Sequence, residues 1–175
     1  MTTAPSTAPD PHSLPDVTGI TIGVLGGTGE QGRGLARRLA MAGCDVVLGS
    51  RDAARAADAA AALPGSVRGM SNEDCAAASD VVIVAVPWDG HGALLESLSG
   101  VLAGKIVVDC VNPLGFDKQG AFSLPVPEGS AAQQAAAVLR RLQRRRRRPL
   151  AGFHLGAAVP TAAAAAGNLL AREGK

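Results

Sequence analysis

What this sequence lacks narrows its chemistry first. There is no tyrosine, and the aromatic side chains are Trp88, Phe116, Phe122 and Phe153, 2% of 175 residues. Proteins that hold single-stranded nucleic acid stack bases on several aromatic platforms, so the composition argues against that class. Cysteine is confined to Cys44, Cys75 and Cys110, with no Cys-x-x-Cys spacing. Isolated thiols support neither a disulfide framework nor a zinc site, and they fit a reducing cytoplasm. No apolar run approaches the ~20 residues that span a bilayer, so the chain reads as soluble, without a membrane partner. No Ser/His/Asp set, metal-ligand cluster or carboxylate pair emerges either. No residue is therefore given a catalytic role, and no metal is expected.

Charge is present but unevenly placed. The chain carries 17 basic and 15 acidic residues, a net +2. Seven of those basic residues are Arg140, Arg141 and Arg144 to Arg148, and without them the balance is ten against fifteen, or −5. The globular part is mildly acidic, and a nucleic-acid footprint spread over the fold is ruled out.

The residues divide into three stretches. Positions 1–16 (MTTAPSTAPDPHSLPD) are rich in proline, threonine and serine and read as a disordered leader, lacking the apolar core of a signal peptide. Positions 17–139 carry the ordered pattern, and 140–175 form an Arg- and Ala-rich tail. In the ordered part, apolar runs at 20–25, 45–49, 81–86 and 105–109 predict strands, with a weaker one near Val67. Helices are expected over 29–42, 53–63, 72–78 (capped by Ser71 or Asn72), 92–98 and from Ser130 to Leu139. Strand alternating with helix through short turns predicts an α/β fold of the Rossmann type. That is a doubly wound parallel sheet with a ligand crevice at the carboxyl ends of its strands.

The first strand runs into Gly26-Gly27-Thr28-Gly29-Glu30-Gln31-Gly32. Within it, Gly27-x-Gly29-x-x-Gly32 gives each glycine a separate role. The first turns the chain tightly, the second lets a pyrophosphate touch backbone, and the third lets helix and strand pack closely. The amides and positive dipole end of the following helix then hold the phosphate charge. The second strand ends in Ser50-Arg51, with Arg55 one helical turn later, where an NAD site would place a carboxylate. A hydroxyl and two guanidiniums suit a 2′-phosphate, so the expected cofactor is NADP(H).

At the end of the 81–86 strand lies Val86-Pro87-Trp88-Asp89-Gly90-His91, facing the crevice where a nicotinamide would lie. Trp88 either walls the ring pocket or covers the edge of the core. His91 is either an acid–base group or, as a loop histidine, simply exposed. After the 105–109 strand, Asn112 either bonds a carboxamide or ribose or organises the turn before Pro113. Cys110, with no neighbouring base, reads as a structural thiol.

The segments GVLGGTGEQGRGLARRLAMAG, VVLGSR, VVIVAVPWDGH and KIVVDCVNPLGFDKQGAF resemble the NADPH-dependent reductases of coenzyme F420, over roughly residues 20–139. The resemblance implies a Rossmann domain for NADP(H) and a small helical C-terminal domain that helps hold the deazaflavin and forms a dimer. It implies 2′-phosphate contacts from Ser50, Arg51 and Arg55, and Thr28, Gly29, Glu30 and Gln31 around the pyrophosphate. Val86 and Asn112 would lie near the nicotinamide, with Pro87 and Trp88 beside two stacked rings. The substrates would be the two small-molecule cofactors, NADP(H) and F420, exchanging a hydride.

After Leu139 the resemblance breaks. The family's second domain is missing or incomplete, so a homodimer is expected only if that domain were present. Phe153-His154-Leu155 faintly resembles a segment near the deazaflavin, and Ala157 would then approach NADP. The tail has three readings: a functional basic arm, a solvated helix end, or a truncated chain with an altered end. Two alternatives to hydride transfer between the cofactors stand beside it. One is an inactive NADP-binding module, the other an NADP-dependent reductase of a different small substrate.

Overall fold

Alternation along short β-branched strands builds a sheet that is buried on both faces. A computed structural model describes residues 19–145. The 1–16 leader, the arginines from 146 onward, His154 and Ala157 lie outside the described residues. In chain order the elements are β1 (Thr21–Leu25), α1 (Glu30–Met41), β2 (Asp45–Ser50), α2 (Ala53–Ala61), β3 (Val67–Ser71) and α3 (Asn72–Ala78). There follow β4 (Val81–Val84), α4 (Trp88–Leu98), β5 (Ile106–Asp109), β6 (Leu114–Asp117), β7 (Gly120–Ser123) and α5 (Ala131–Arg145).

Five strands pair in parallel in the order β3-β2-β1-β4-β5, with Val24 opposite Leu48 on one side and Ile83 on the other. Successive side chains point to opposite faces. Val24, Val46 and Leu48 pack with Ala36 and Ala40 of α1 and Ala60 of α2. Leu25, Val47, Val82 and Val84 pack with Cys75 and Ala76 of α3, Leu95 and Leu98 of α4, and Ala135 and Leu139 of α5. Alanine supplies most of the helical contribution to the first face, which lets α1 and α2 lie close to the strands.

Three helix starts follow local rules. The Asp52 carboxylate accepts from the amides of Ala54 (2.9 Å) and Arg55 (3.2 Å), and Ser71 Oγ accepts from Asp74 N at 3.1 Å. Ser130 Oγ likewise accepts from Gln133 N at 3.2 Å, ahead of α5. That helix runs on to Arg145, past the change of composition at residue 140.

The elements also depart from the sequence expectations between β4 and α4 and after β5. α4 begins at Trp88 rather than Gly92, because Pro87, with φ −59° and ψ 148°, is already set to enter a helix and needs no N–H there. The segment 88–91 is therefore helix, and β4 stops at Val84 although Ala85 N still reaches Leu25 O at 3.0 Å. The β6–β7 hairpin was not anticipated. Its strands are four residues each, interrupted by glycine and largely exposed, so no burial alternation marks them.

At Gly69 of β3 an added Cβ would run into the Ala56 carbonyl of α2. Gly69→Ala should destabilise the domain by about 1–3 kcal/mol, the usual cost of overpacking against backbone. Urea unfolding, read as a lowered midpoint at unchanged slope, measures it.

Candidate functional site

The sheet order reverses between β1 and β4, and that switch point is where a doubly wound sheet opens a crevice. The chain leaves β1 through Gly26, which has φ +73°, and a Cβ there would stand 2.5 Å from Ala85 O. The tight turn thus falls on Gly26, one residue before the glycine to which the sequence pattern assigned it. Gly27 is instead pressed on Leu48, where a Cβ would lie 2.6 Å from Cδ2, while its N–H donates to Gly49 O at 2.9 Å. Gly32 allows the close packing expected of it, since a Cβ would come within 2.7 Å of Gly26 O and 2.8 Å of the Gly27 Cα.

Gly29 is exposed and stands at the N-cap of α1, where no side chain caps the helix. α2 and α3 are capped by their own Asp52 and Ser71. The first-turn amides of α1 and the positive end of its dipole are thus left for an anion.

A cleft of about 540 Å³ opens over this turn. Gly26, Thr28 and Gly29 form one part of its wall, Ser50, Arg51 and Arg55 a second, and Val86 and Pro87 a third. Among the described residues, neither Arg51 nor Arg55 takes part in an ion pair. Ser50 is buried and its Oγ accepts from Asp52 N at 3.3 Å. The Asp52 carboxylate also borders the cleft, with Oδ1 occupied by the two capping amides. A phosphate dianion therefore meets two unpaired guanidiniums and a helix N-terminus, and the donor set fits a phosphorylated nucleotide.

The other predicted site residues stand outside the lining. Gly27 and Gly32 are buried beneath the loop, and Glu30 is exposed on the first turn of α1. The Gln31 side chain donates to Cys110 O at 3.3 Å, tying the glycine loop to the end of β5. Asn112 is half-buried three residues past that strand. Trp88 is half-buried, packs on the core and stacks on the His91 ring at 5.5 Å between centroids, so it covers the core edge.

The polar contacts of Asn72 and His91 escaped the sequence reading. Asn72, buried at the cleft floor, accepts from Gly26 N through Oδ1 at 3.4 Å. Its place just after β3, on the crevice side, was the available signal. His91 is fully buried rather than exposed in a loop. Its Nε2 lies 2.6 Å from Asp109 Oδ2 and its Nδ1 3.1 Å from Gln134 Oε1, so Asp109 and Gln134 become its partners. Burial alone would lower its pKa, but the hydrogen bond and charge of Asp109 outweigh this, and Gln134 adds to them, raising it above the usual histidine value. Burial, then the Asp109 charge, raises the Cys110 thiol. The Cys75 thiol is pushed up to about 12 by burial, which makes it an inert core side chain.

The family model described as NADP oxidoreductase coenzyme F420-dependent matches residues 21–113. The F420-dependent NADP reductase of Methanothermobacter thermautotrophicus is 41% identical over 102 residues, covering 54% of this chain and 44% of that protein. The protein of the same name from Methanocaldococcus jannaschii is 36% identical over 126 residues, covering 65% of this chain and 56% of its own length. The chain thus spans about half the length of the curated relatives it matches. Among solved structures, a hypothetical protein of Sinorhizobium meliloti superposes with a TM-score of 0.55 at 24% identity, covering 69% of this chain and 56% of that one, a likeness of fold. No helix among the described residues is long and apolar enough to cross a membrane.

Two outcomes follow from this geometry. Arg51→Asp should weaken NADPH binding by about 10–100-fold, the loss of charge-assisted bonds to a 2′-phosphate, and NADH binding far less. Calorimetry with both nucleotides decides it, and equal losses contradict the assignment. Because His91 holds its proton more tightly folded than unfolded, its pair stabilises the domain in full below about pH 6.5. That contribution fades as pH rises through the folded value. Melting temperatures of the wild type should fall there, and those of His91→Gln should lack that component.

Proposed function

This chain belongs to the coenzyme F420-dependent NADP oxidoreductase family, and on that premise we propose that it binds NADP(H) in the cleft and serves hydride transfer between NADP(H) and F420. The observation that carries the proposal is the meeting, in one cleft, of an uncapped helix N-terminus with Ser50, Arg51 and Arg55. The names of the curated relatives, F420-dependent NADP reductases, support the second substrate.

The division of labour follows from the chemistry of each wall. The first-turn amides of α1, reached across Gly29, bind the pyrophosphate. The Ser50 hydroxyl and the guanidiniums of Arg51 and Arg55 bind the 2′-phosphate and set the preference for NADP(H). Val86 and Pro87 wall the nicotinamide end and exclude water, with Trp88 packed on the core next to Pro87. When bound, the two cofactors supply the chemistry itself, a two-electron hydride passing between the nicotinamide and deazaflavin rings. No side chain needs to act as acid or base in such a step. The three isolated thiols suit a cytoplasmic setting.

Mixing the protein with NADPH and oxidised F420 tests the proposal. The deazaflavin absorbance should fall as NADPH is consumed, one equivalent for one. NADPH binding with no change in that absorbance would reduce the reading to a nucleotide-binding module.

A further inference from the structure

The start of α4 is intrinsically weak. Its first residues read Trp88-Asp89-Gly90-His91-Gly92, and two glycines in the first five positions disfavour helix. Pro87 at the N-cap gives no side-chain hydrogen bond to the free amides. Yet this turn forms the ring end of the cleft, since Val86, Pro87, Asp89 and Gly90 all line it. Something else must hold it: Trp88 packs partly buried on the core, and His91, one turn on, is fully buried.

His91 joins three elements. From β5 comes Asp109, 2.6 Å from Nε2, whose other oxygen accepts from Val111 N at 2.9 Å. From α5 comes Gln134, 3.1 Å from Nδ1, whose own Nε2 faces Glu128 Oε2 at 3.5 Å and so turns its carbonyl oxygen toward the imidazole. On its own helix Trp88 stacks against the ring and Asp89 lies on the cleft side; Cys110 follows Asp109. With acceptors at both nitrogens, only the doubly protonated ring donates to both. Neutral imidazole can serve only one of them.

We propose that His91 is a positioning residue for the nicotinamide end of the cleft, clamping the first turn of α4 to the end of β5 from inside the core. This rests on the reading of the cleft as an NADP(H) site. When the ring loses its proton, the clamp to Gln134 or Asp109 is lost, the α4 turn loosens, and the ring end is disordered while the Arg51–Arg55 end is not.

The test compares NADPH with adenosine 2′,5′-bisphosphate, which keeps the 2′-phosphate and lacks the nicotinamide, by calorimetry on the full chain between about pH 6 and pH 9. Trp88, the sole tryptophan, reports the His91 titration directly, because a charged imidazole stacked on indole quenches its fluorescence. NADPH affinity should fall about tenfold along the same midpoint as the Trp88 signal, and affinity for the bisphosphate less than about twofold. His91→Gln should show the weaker NADPH affinity at every pH and keep the bisphosphate. Identical pH profiles for the two ligands, or an NADPH profile unconnected to Trp88, would overturn the inference while leaving the cleft reading intact. Wild-type protein that binds neither ligand would instead overturn the cleft reading and this inference with it.

Discussion

The structure depends on how little room there is between β1 and α1. The chain must turn under Ala85, just past the end of β4, and over Leu48 of β2, and neither approach leaves space for a Cβ. Once glycine occupies 26 and 27, α1 can pack on the loop through Gly32, and its N-terminus emerges at the switch point of the sheet. On the proposed reading the anion site is a by-product of that packing: the backbone supplies the donors, and the protein adds only the groups that choose between nucleotides.

Those groups come from β2 and α2. Ser50 ends the strand, Arg51 follows it, and Asp52 opens the next helix by capping its amides. A carboxylate in a site for a dianion looks contradictory until its partners are considered. Asp52 is spent on the α2 N-terminus, whereas Arg51 and Arg55 have no carboxylate partner among the described residues. The local excess of positive charge is set within five residues and is independent of the Arg-rich stretch beyond residue 140.

Much of this was legible beforehand because it is local. The Gly27-x-Gly29-x-x-Gly32 spacing, the Ser50-Arg51 pair and the apolar runs each occupy a few consecutive residues, and from them came the parallel sheet and its crevice. What escaped was non-local. His91 looked like an exposed loop residue because its partners, Asp109 and Gln134, lie 18 and 43 residues away. Asn72 meets Gly26 across 46 residues. In sequence Trp88 fits either a ring wall or a core cover, and only the helical turn that follows Pro87 packs it on the core. The shift of the tight turn from Gly27 to Gly26 was equally out of reach, since the two are adjacent glycines and sterics with Ala85 decide between them.

The central claim is that the glycine turn of α1 and the Ser50–Arg55 segment together hold a 2′-phosphorylated nucleotide. Amide chemical-shift mapping of the full chain with NADP+ tests it most directly. The account predicts saturable shifts concentrated at 26–32 and 50–55, with smaller ones at Val86 and Gly90. Shifts confined to another surface, such as the β6–β7 hairpin, or none at all at saturating nucleotide, would contradict it.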